Sequence, residues 1–199
     1  SIDSTEATSD EQITSEANTG GTTDDLAGLT VTFLDVGQGN AVLFSCDDHY
    51  MMMDGGPSSA SSFVVAYLKK QNIESLDYVI ASHYDSDHIN GLVGVLNVFD
   101  TETFIGPDYV ADTKIYDSLM DKLAAQNLTV TFPKAGDSYT FGDAVFTIVA
   151  PITYSDDNEN DNSNVIYTEL DGYRFMFMGD AGVEKEKDIL NKYNISGID

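Results

Sequence analysis

His83-Tyr84-Asp85-Ser86-Asp87-His88 sets two imidazoles and two carboxylates within six residues, directly after the apolar run Tyr78-Val79-Ile80-Ala81. On an extended segment side chains alternate, so positions 83 and 85 point to one side. A turn into a helix at Asp87 and His88 brings the next two groups back toward that side. Four potential ligands then surround one point, as a pair of divalent cations requires. The same residues also fit a plainer reading, an acidic solvated loop ahead of a helix with Asp87 as its N-cap.

His49, His83 and His88 are the three histidines of the chain, so a metal site here must lean on carboxylates. Asp180 follows an apolar strand in the turn Gly179-Asp180-Ala181-Gly182, where its carboxylate can project from a sheet edge. Asp54 occupies a similar position after Met51-Met52-Met53. Asp85, Asp87 and Asp180 held within a few ångströms would repel one another unless cations compensate them. A mixed set of imidazoles and carboxylates suits zinc, and its oxygen share suits manganese.

Order is expected from Leu29, where Leu29-Thr30-Val31-Thr32-Phe33-Leu34 alternates as a strand does. Gly37-Gln38-Gly39 is a tight turn, too short for a dinucleotide fingerprint. It leads to strands at residues 41–45 and 49–53, an antiparallel meander in outline. Phe63, Val64, Tyr67 and Leu68 recur at helical spacing, and residues 77–81 form the strand that enters the ligand cluster. Residues 88–99 read as a helix, against the cost of two internal glycines. A strand at 103–105 and a helix at 113–126 follow, then strands at 128–132, 138–141 and 144–149. Residues 155–163 are a polar loop. Residues 165–170 and 173–178 form a hairpin through Asp171-Gly172, and 183–193 are helical. Strand-rich halves separated by helices predict an α+β protein with two sheets face to face and helices outside.

The 199 residues, 42% of them hydrophobic, suffice for one substantial core. Acids outnumber bases 34 to 9, for a formal charge of −25. That surface argues against tight duplex binding, and no basic stripe is visible. The lone Cys46 cannot form an intramolecular disulfide, and its apolar strand predicts a buried, inert thiol. No apolar run reaches the ~18 residues of a membrane span. Residues 1–28 carry seven acids and no bases and are rich in Ser and Thr. They are expected to be a disordered tether of an extracellular or cell-surface bacterial protein, with residues 29–199 forming the folded domain. An intracellular acidic tail would look similar.

Four motifs in order, Asp35-Val36-Gly37-Gln38-Gly39, Asp54-Gly55-Gly56, Ser82-His83-Tyr84-Asp85-Ser86-Asp87-His88-Ile89-Asn90-Gly91 and Phe177-Met178-Gly179-Asp180, resemble those of the metallo-β-lactamase superfamily. The branch they most resemble is that of the ComEC-type competence proteins and their free-standing relatives. The resemblance covers residues 29–199 and implies a four-layer αββα sandwich with a binuclear hydrolase site at the edge of the two sheets. Carried over by position, it implies that His83 and Asp85 bind one metal, Asp87 and His88 the other, and that Asp180 bridges them, with Asp87 and His88 as catalytic candidates. Asp54 would lie beneath and orient ligands through hydrogen bonds.

This sequence departs from the pattern in places. The loop where a further ligand histidine is usual offers Asp161, Asn162, Ser163 and Asn164. Asn40 replaces a common aspartate, and Asn90 a common glycine. The resemblance also implies a further strand and a histidine-bearing motif after Asp199, so the sandwich is expected to lack its C-terminal part.

The leading expectation is a hydrolase of phosphodiester or phosphoester bonds that uses two divalent ions, zinc or manganese, and a metal-bound hydroxide. The resemblance points to nucleic-acid phosphodiesters, since ComEC-like domains are associated with degrading a DNA strand during uptake. A single strand or a small phosphoester is the compatible partner. Two alternatives stay open: a hydrolase of another ester, lactam or thioester with the same site, and a non-catalytic exported binding module with a degenerate one. Met51-Met52-Met53 is expected to fill core on opposite faces of its strand. His49 is expected to be a surface or cross-strand residue. Tyr84 could stack on a substrate base or shield the ligands.

Overall fold

The computed structural model describes residues 28–170, 173–193, 195, 197 and 198. The expected acidic tether, apart from Gly28, and the Asp171-Gly172 turn lie outside the described residues.

One sheet has six strands in chain order: β1 (Thr30–Phe33), β2 (Val42–Cys46), β3 (His49–Met53), β4 (Ser75–Ile80), β5 (Asp100–Ile105) and β6 (Val130–Thr131). The first three pair antiparallel, as the meander predicts. From β3 onward pairing is parallel, and parallel neighbours need a crossover. Helices α1 (Ser61–Lys70), α2 (Ser86–Leu96) and α3 (Lys114–Ala125) supply those crossovers. The second sheet holds β7 (Ser138–Phe141), β8 (Ala144–Ala150), β9 (Val165–Leu170) and β10 (Tyr173–Phe177), antiparallel throughout in the order β10-β9-β8-β7. Helix α4 (Val183–Tyr193) follows.

Three apolar clusters define four layers. Leu43, Met52, Val79 and Phe104 of the six-stranded sheet pack with Val64 and Leu68 of α1, Leu92 and Val95 of α2, and Leu119 and Leu123 of α3. Between the sheets, Val42, Phe44, Met51, Met53 and Ile80 meet Phe146, Ile148, Ile166 and Phe177. Val149, Val165 and Ile189 join the second sheet to α4. The three methionines confirm the strand alternation: Met52 faces the helices while Met51 and Met53 face the other sheet.

Local signals agree with this arrangement. Thr113 caps α3 by accepting a hydrogen bond from the Tyr116 amide at 3.3 Å. Glu184 and Glu186 occupy the first turn of α4 and Lys192 its last, each favourable to the helix dipole. Cys46 is buried as a free thiol. His49 pairs across strands with Asp77, Nδ1 to Oδ1 at 2.6 Å.

Candidate metal centre

Apart from Asp87 and His88, which helix α2 carries, the polar groups of the site come from chain segments that have just left, or are about to enter, a sheet. Asp54 follows β3, Ser82 and His83 follow β4, and Asn164 precedes β9, while Gly179 and Asp180 follow β10. The parallel strands β3 and β4 thus deliver their groups at their carboxyl ends, where open α/β sheets form ligand crevices. The β9–β10 hairpin brings its groups in from the second sheet.

Asp54 is fully buried and left-handed, with φ 57°. Such a conformation is uncommon for a residue other than glycine and persists where surrounding contacts impose it. Here they do. Its Oδ1 accepts from the Ser82 amide at 2.8 Å, and its Oδ2 accepts from the Ser82 hydroxyl at 2.7 Å and Asn40 Nδ2 at 3.2 Å. His88 Nδ1 also stands 2.8 Å from Oδ2. Asp54 thus joins Asn40, Ser82 and His88 through one buried carboxylate.

Helix α2 is pressed down onto the same floor. The Gly55 amide donates to the His88 carbonyl at 2.7 Å, and the Gly91 amide donates to the Gly56 carbonyl at 3.0 Å. Gly39, at φ 107°, lies so near the Asp87 carbonyl that a Cβ there would sit 2.1 Å from its oxygen. The glycine turn, the Asp54 loop and the first turns of α2 therefore form one packed unit, with His88 held between them.

His83 and His88 are buried, and their rings lie 4.2 Å apart between centroids. Among the described residues His83 Nε2 has no hydrogen-bond partner, although it is fully buried. Among the described residues, His83, His88 and Asp180 form one group whose ligand atoms all lie within 4.8 Å of one another. His88 Nε2 is 3.4 Å from Asp180 Oδ1, and His83 Nε2 is 3.5 Å from Asp85 Oδ2. Two ligands each about 2.1 Å from one tetrahedral ion stand about 3.4 Å apart, so both separations suit a pair sharing an ion. With an unpartnered buried imidazole nitrogen and two half-exposed carboxylates facing it, the donor set fits a divalent cation.

The five expected ligands are not equally placed. His83, His88 and Asp180 converge. Asp85 sits at the N-cap of α2 in extended conformation, but its side chain makes no capping bond and faces His83 instead. Asp87, in the first turn of α2, stays outside the triad and reaches His88 through its charge. Ser163 and Asn164 occupy the loop that lacks a histidine. Both are fully buried, and Ser163 Oγ and Asn164 Oδ1 have no hydrogen-bond partner among the described residues. Asn164 is tied to the histidine segment through its amide, which donates to the Ser82 carbonyl at 2.8 Å.

The two imidazoles are pushed in opposite directions. Burial, then the neighbouring His88, pulls the pKa of His83 below its ordinary value. Burial also works against protonation of His88, but the hydrogen bond and charge of Asp54 outweigh it and the net shift is upward. Tyr84 is buried, with its hydroxyl donating to the Pro107 carbonyl at 2.9 Å and its ring against Tyr109 and Tyr116. Its ring is part of the core that the helices cover and is almost wholly removed from solvent. Ser82, whose one cue in the sequence is its place directly before His83, joins Asp54 to both imidazoles.

The metallo-beta-lactamase superfamily model matches residues 34–195, which takes in all of these motifs. This chain belongs to the metallo-beta-lactamase superfamily. Superfamily members are mostly metal-dependent hydrolases, and the fold typically binds divalent metals. Two curated relatives place it with the competence-protein branch. ComE operon protein 3 of Bacillus subtilis is 21% identical over 181 residues, 82% of this chain and 23% of that protein. Competence protein ComA of Neisseria gonorrhoeae is 24% identical over 164 residues, 82% of this chain and 21% of that protein. The chain thus spans less than a quarter of the length of these relatives. Among solved structures, a metallo-beta-lactamase of Cronobacter sakazakii superposes with a TM-score of 0.59 at 11% identity, covering 85% of this chain and 72% of that one. The subclass B3 metallo-beta-lactamase of Bradyrhizobium japonicum gives a TM-score of 0.56 at 14% identity, with the same coverage. These likenesses establish the superfamily's fold for this chain. No helix of the described residues is long and apolar enough to cross a membrane.

Proposed function

We propose that this superfamily domain hydrolyses phosphoester bonds with the help of two divalent ions, zinc or manganese. His83 and Asp85 hold one ion, Asp87 and His88 the other, and Asp180 lies between them. The observation that carries this reading is the convergence of His83, His88 and Asp180 on one point, with a buried imidazole nitrogen that has no hydrogen-bond partner among the described residues. Divalent ions in such a site supply Lewis acidity, lowering the pKa of bound water to about 7 and drawing charge from the substrate oxygen. The chain's own residues supply the frame: Asp54 holds His88 in place, and α2 carries Asp87 and His88 on a floor of glycines.

The choice of substrate rests on two supports. One relative is named a competence protein and the other a ComE operon protein, and the resemblance of the motifs to the ComEC-like branch points to degradation of a DNA strand. The acidic excess of this chain disfavours a duplex, so a single strand or a small phosphoester is the substrate class. An exported or cell-surface setting is proposed on the composition of residues 1–28.

The test is turnover of a generic phosphodiester and of a single-stranded oligonucleotide by protein loaded with manganese or zinc, alongside lactam and thioester substrates. Cleavage of the phosphodiesters that disappears in His88→Ala and Asp180→Asn supports the assignment. Equal turnover in both variants overturns it.

A further inference from the structure

Ser82 touches every part of the site at once. Its amide and hydroxyl reach Asp54, its carbonyl accepts from the Asn164 amide, and Gly179 abuts it so closely that a Cβ on that glycine would lie 2.7 Å from the Ser82 Cβ. The hydroxyl also stands 3.0 Å from His83 Nδ1 and 3.4 Å from His88 Nδ1. Ser82 is fully buried, so no solvent competes for these contacts.

A serine hydroxyl has one hydrogen to donate and lone pairs with which to accept. Four donors converge on the ionised, acceptor-only Asp54 carboxylate, the Ser82 amide on Oδ1 and the Ser82 hydroxyl, Asn40 Nδ2 and His88 Nδ1 on Oδ2. The Ser82 hydrogen is therefore committed to Asp54 at 2.7 Å; turned elsewhere, two bare oxygens would face each other at that distance in a buried site. With its hydrogen so placed, Ser82 Oγ can only accept from His83, and the shared proton must sit on His83 Nδ1. A neutral imidazole carries one proton. His83 Nε2 is then a lone pair, buried, unpartnered and directed toward the Asp85 side of the cluster.

We infer that Ser82 is a positioning residue that fixes the tautomer of His83: Asp54 orients the serine hydroxyl, the hydroxyl holds the proton on His83 Nδ1, and Nε2 is left as a ready ligand. His88 gets the same treatment directly, since its Nδ1 donates to Asp54 at 2.8 Å. One buried carboxylate thereby prepares two imidazoles, one by contact and the other through Ser82. A ring that is free to choose would place its proton on either nitrogen, and each molecule with the proton on Nε2 would have to rearrange before binding an ion. The consequence for affinity rests on the metal-binding role proposed above, but the tautomer itself does not.

The test is long-range nitrogen–proton NMR of the histidine rings in metal-free protein at mildly alkaline pH, for wild type, Ser82→Ala and Asn40→Ala. Expected in wild type is His83 wholly in the Nδ1-protonated form. In Ser82→Ala, His83 is expected to show a substantial Nε2-protonated population, and zinc affinity to drop by about tenfold or more. Asn40→Ala removes a different Asp54 contact and is expected to leave the His83 tautomer unchanged, which separates the serine's role from general loosening. An Nε2-protonated His83 in wild type overturns the inference, and so does a Ser82→Ala protein with the wild-type tautomer. The wild-type spectrum carries the test even where Ser82→Ala does not fold. A protein with the expected tautomer that binds no metal would overturn the hydrolase reading and leave the role of Ser82 standing.

Discussion

Gly91 in α2 lies flat against Gly55 in the loop after β3, so that a Cβ built on Gly91 would fall 1.7 Å from the Gly55 carbonyl oxygen. The contact is backbone on backbone, and no side chain can swing away to relieve it. It explains why a helix that carries metal ligands in its first turns tolerates glycine in its interior: the loss of helix propensity, about 1 kcal/mol, is exchanged for a close approach that brings His88 over Asp54.

Gly91→Ala is accordingly expected to destabilise the fold by about 3 kcal/mol, well beyond the small gain in propensity that alanine brings to an open helix. Urea denaturation followed by circular dichroism measures it. Stability equal to or above wild type would show that α2 does not depend on this contact.

Asp54→Asn keeps the size of the side chain and replaces an oxygen acceptor with a donor. At least one of the four groups now bonded to Asp54 must then face a donor. The expected cost is about 2 kcal/mol of stability, with metal affinity lower by about 10- to 100-fold. Calorimetric titration with zinc, run beside thermal melts, checks both. Affinity unchanged in a folded variant would remove Asp54 from the account.

Both the fold and the site could be read from the sequence wherever the signal is local, and were missed where it is not. The alternation at Met51-Met52-Met53 placed their side chains correctly because a strand's two faces follow from its period alone. The glycines in α2 count against a helix in the sequence because their benefit lies across the fold, Gly91 against Gly55 and Gly94 against Ser61, each thirty-odd residues earlier in the chain. Helix α2 begins at Ser86 rather than His88, within the usual uncertainty of helix ends. Nothing near Tyr84 in sequence announces Tyr109, Tyr116 or the Pro107 carbonyl, which hold its ring in the core. Ser82 carries no local signal beyond its place in the motif, because its contacts exist only once Asp54 and His83 are adjacent in space. In the histidine segment, by contrast, the approach of His83 and His88 is a local matter that a strand-to-helix turn suffices to produce, while Asp87 stays outside the group that they form with Asp180.

The His49–Asp77 pair gives a pH signature away from the site. The hydrogen bond to Asp77, and then its charge, raise the pKa of His49 above 6.5. A group whose pKa is higher in the folded state than in the unfolded one contributes stability that is fully present below the unfolded pKa. That contribution is lost as pH rises through the folded value. His49→Gln is therefore expected to cost more stability below pH 6.5 than at alkaline pH. Both residues are partly exposed, so added salt should shrink the difference. Paired denaturation curves at acidic and alkaline pH read it directly, and a cost that grows with pH would contradict the pairing.

The most direct test of the account is the metal content and zinc or manganese affinity of the purified protein, compared with His83→Ala, His88→Ala and Asp180→Asn. The account predicts at least one tightly held equivalent in wild type, a higher melting temperature with metal than after chelation, and loss of binding by about tenfold or more in each variant. Less than one equivalent in wild type, or affinities unchanged across the three variants, would contradict it.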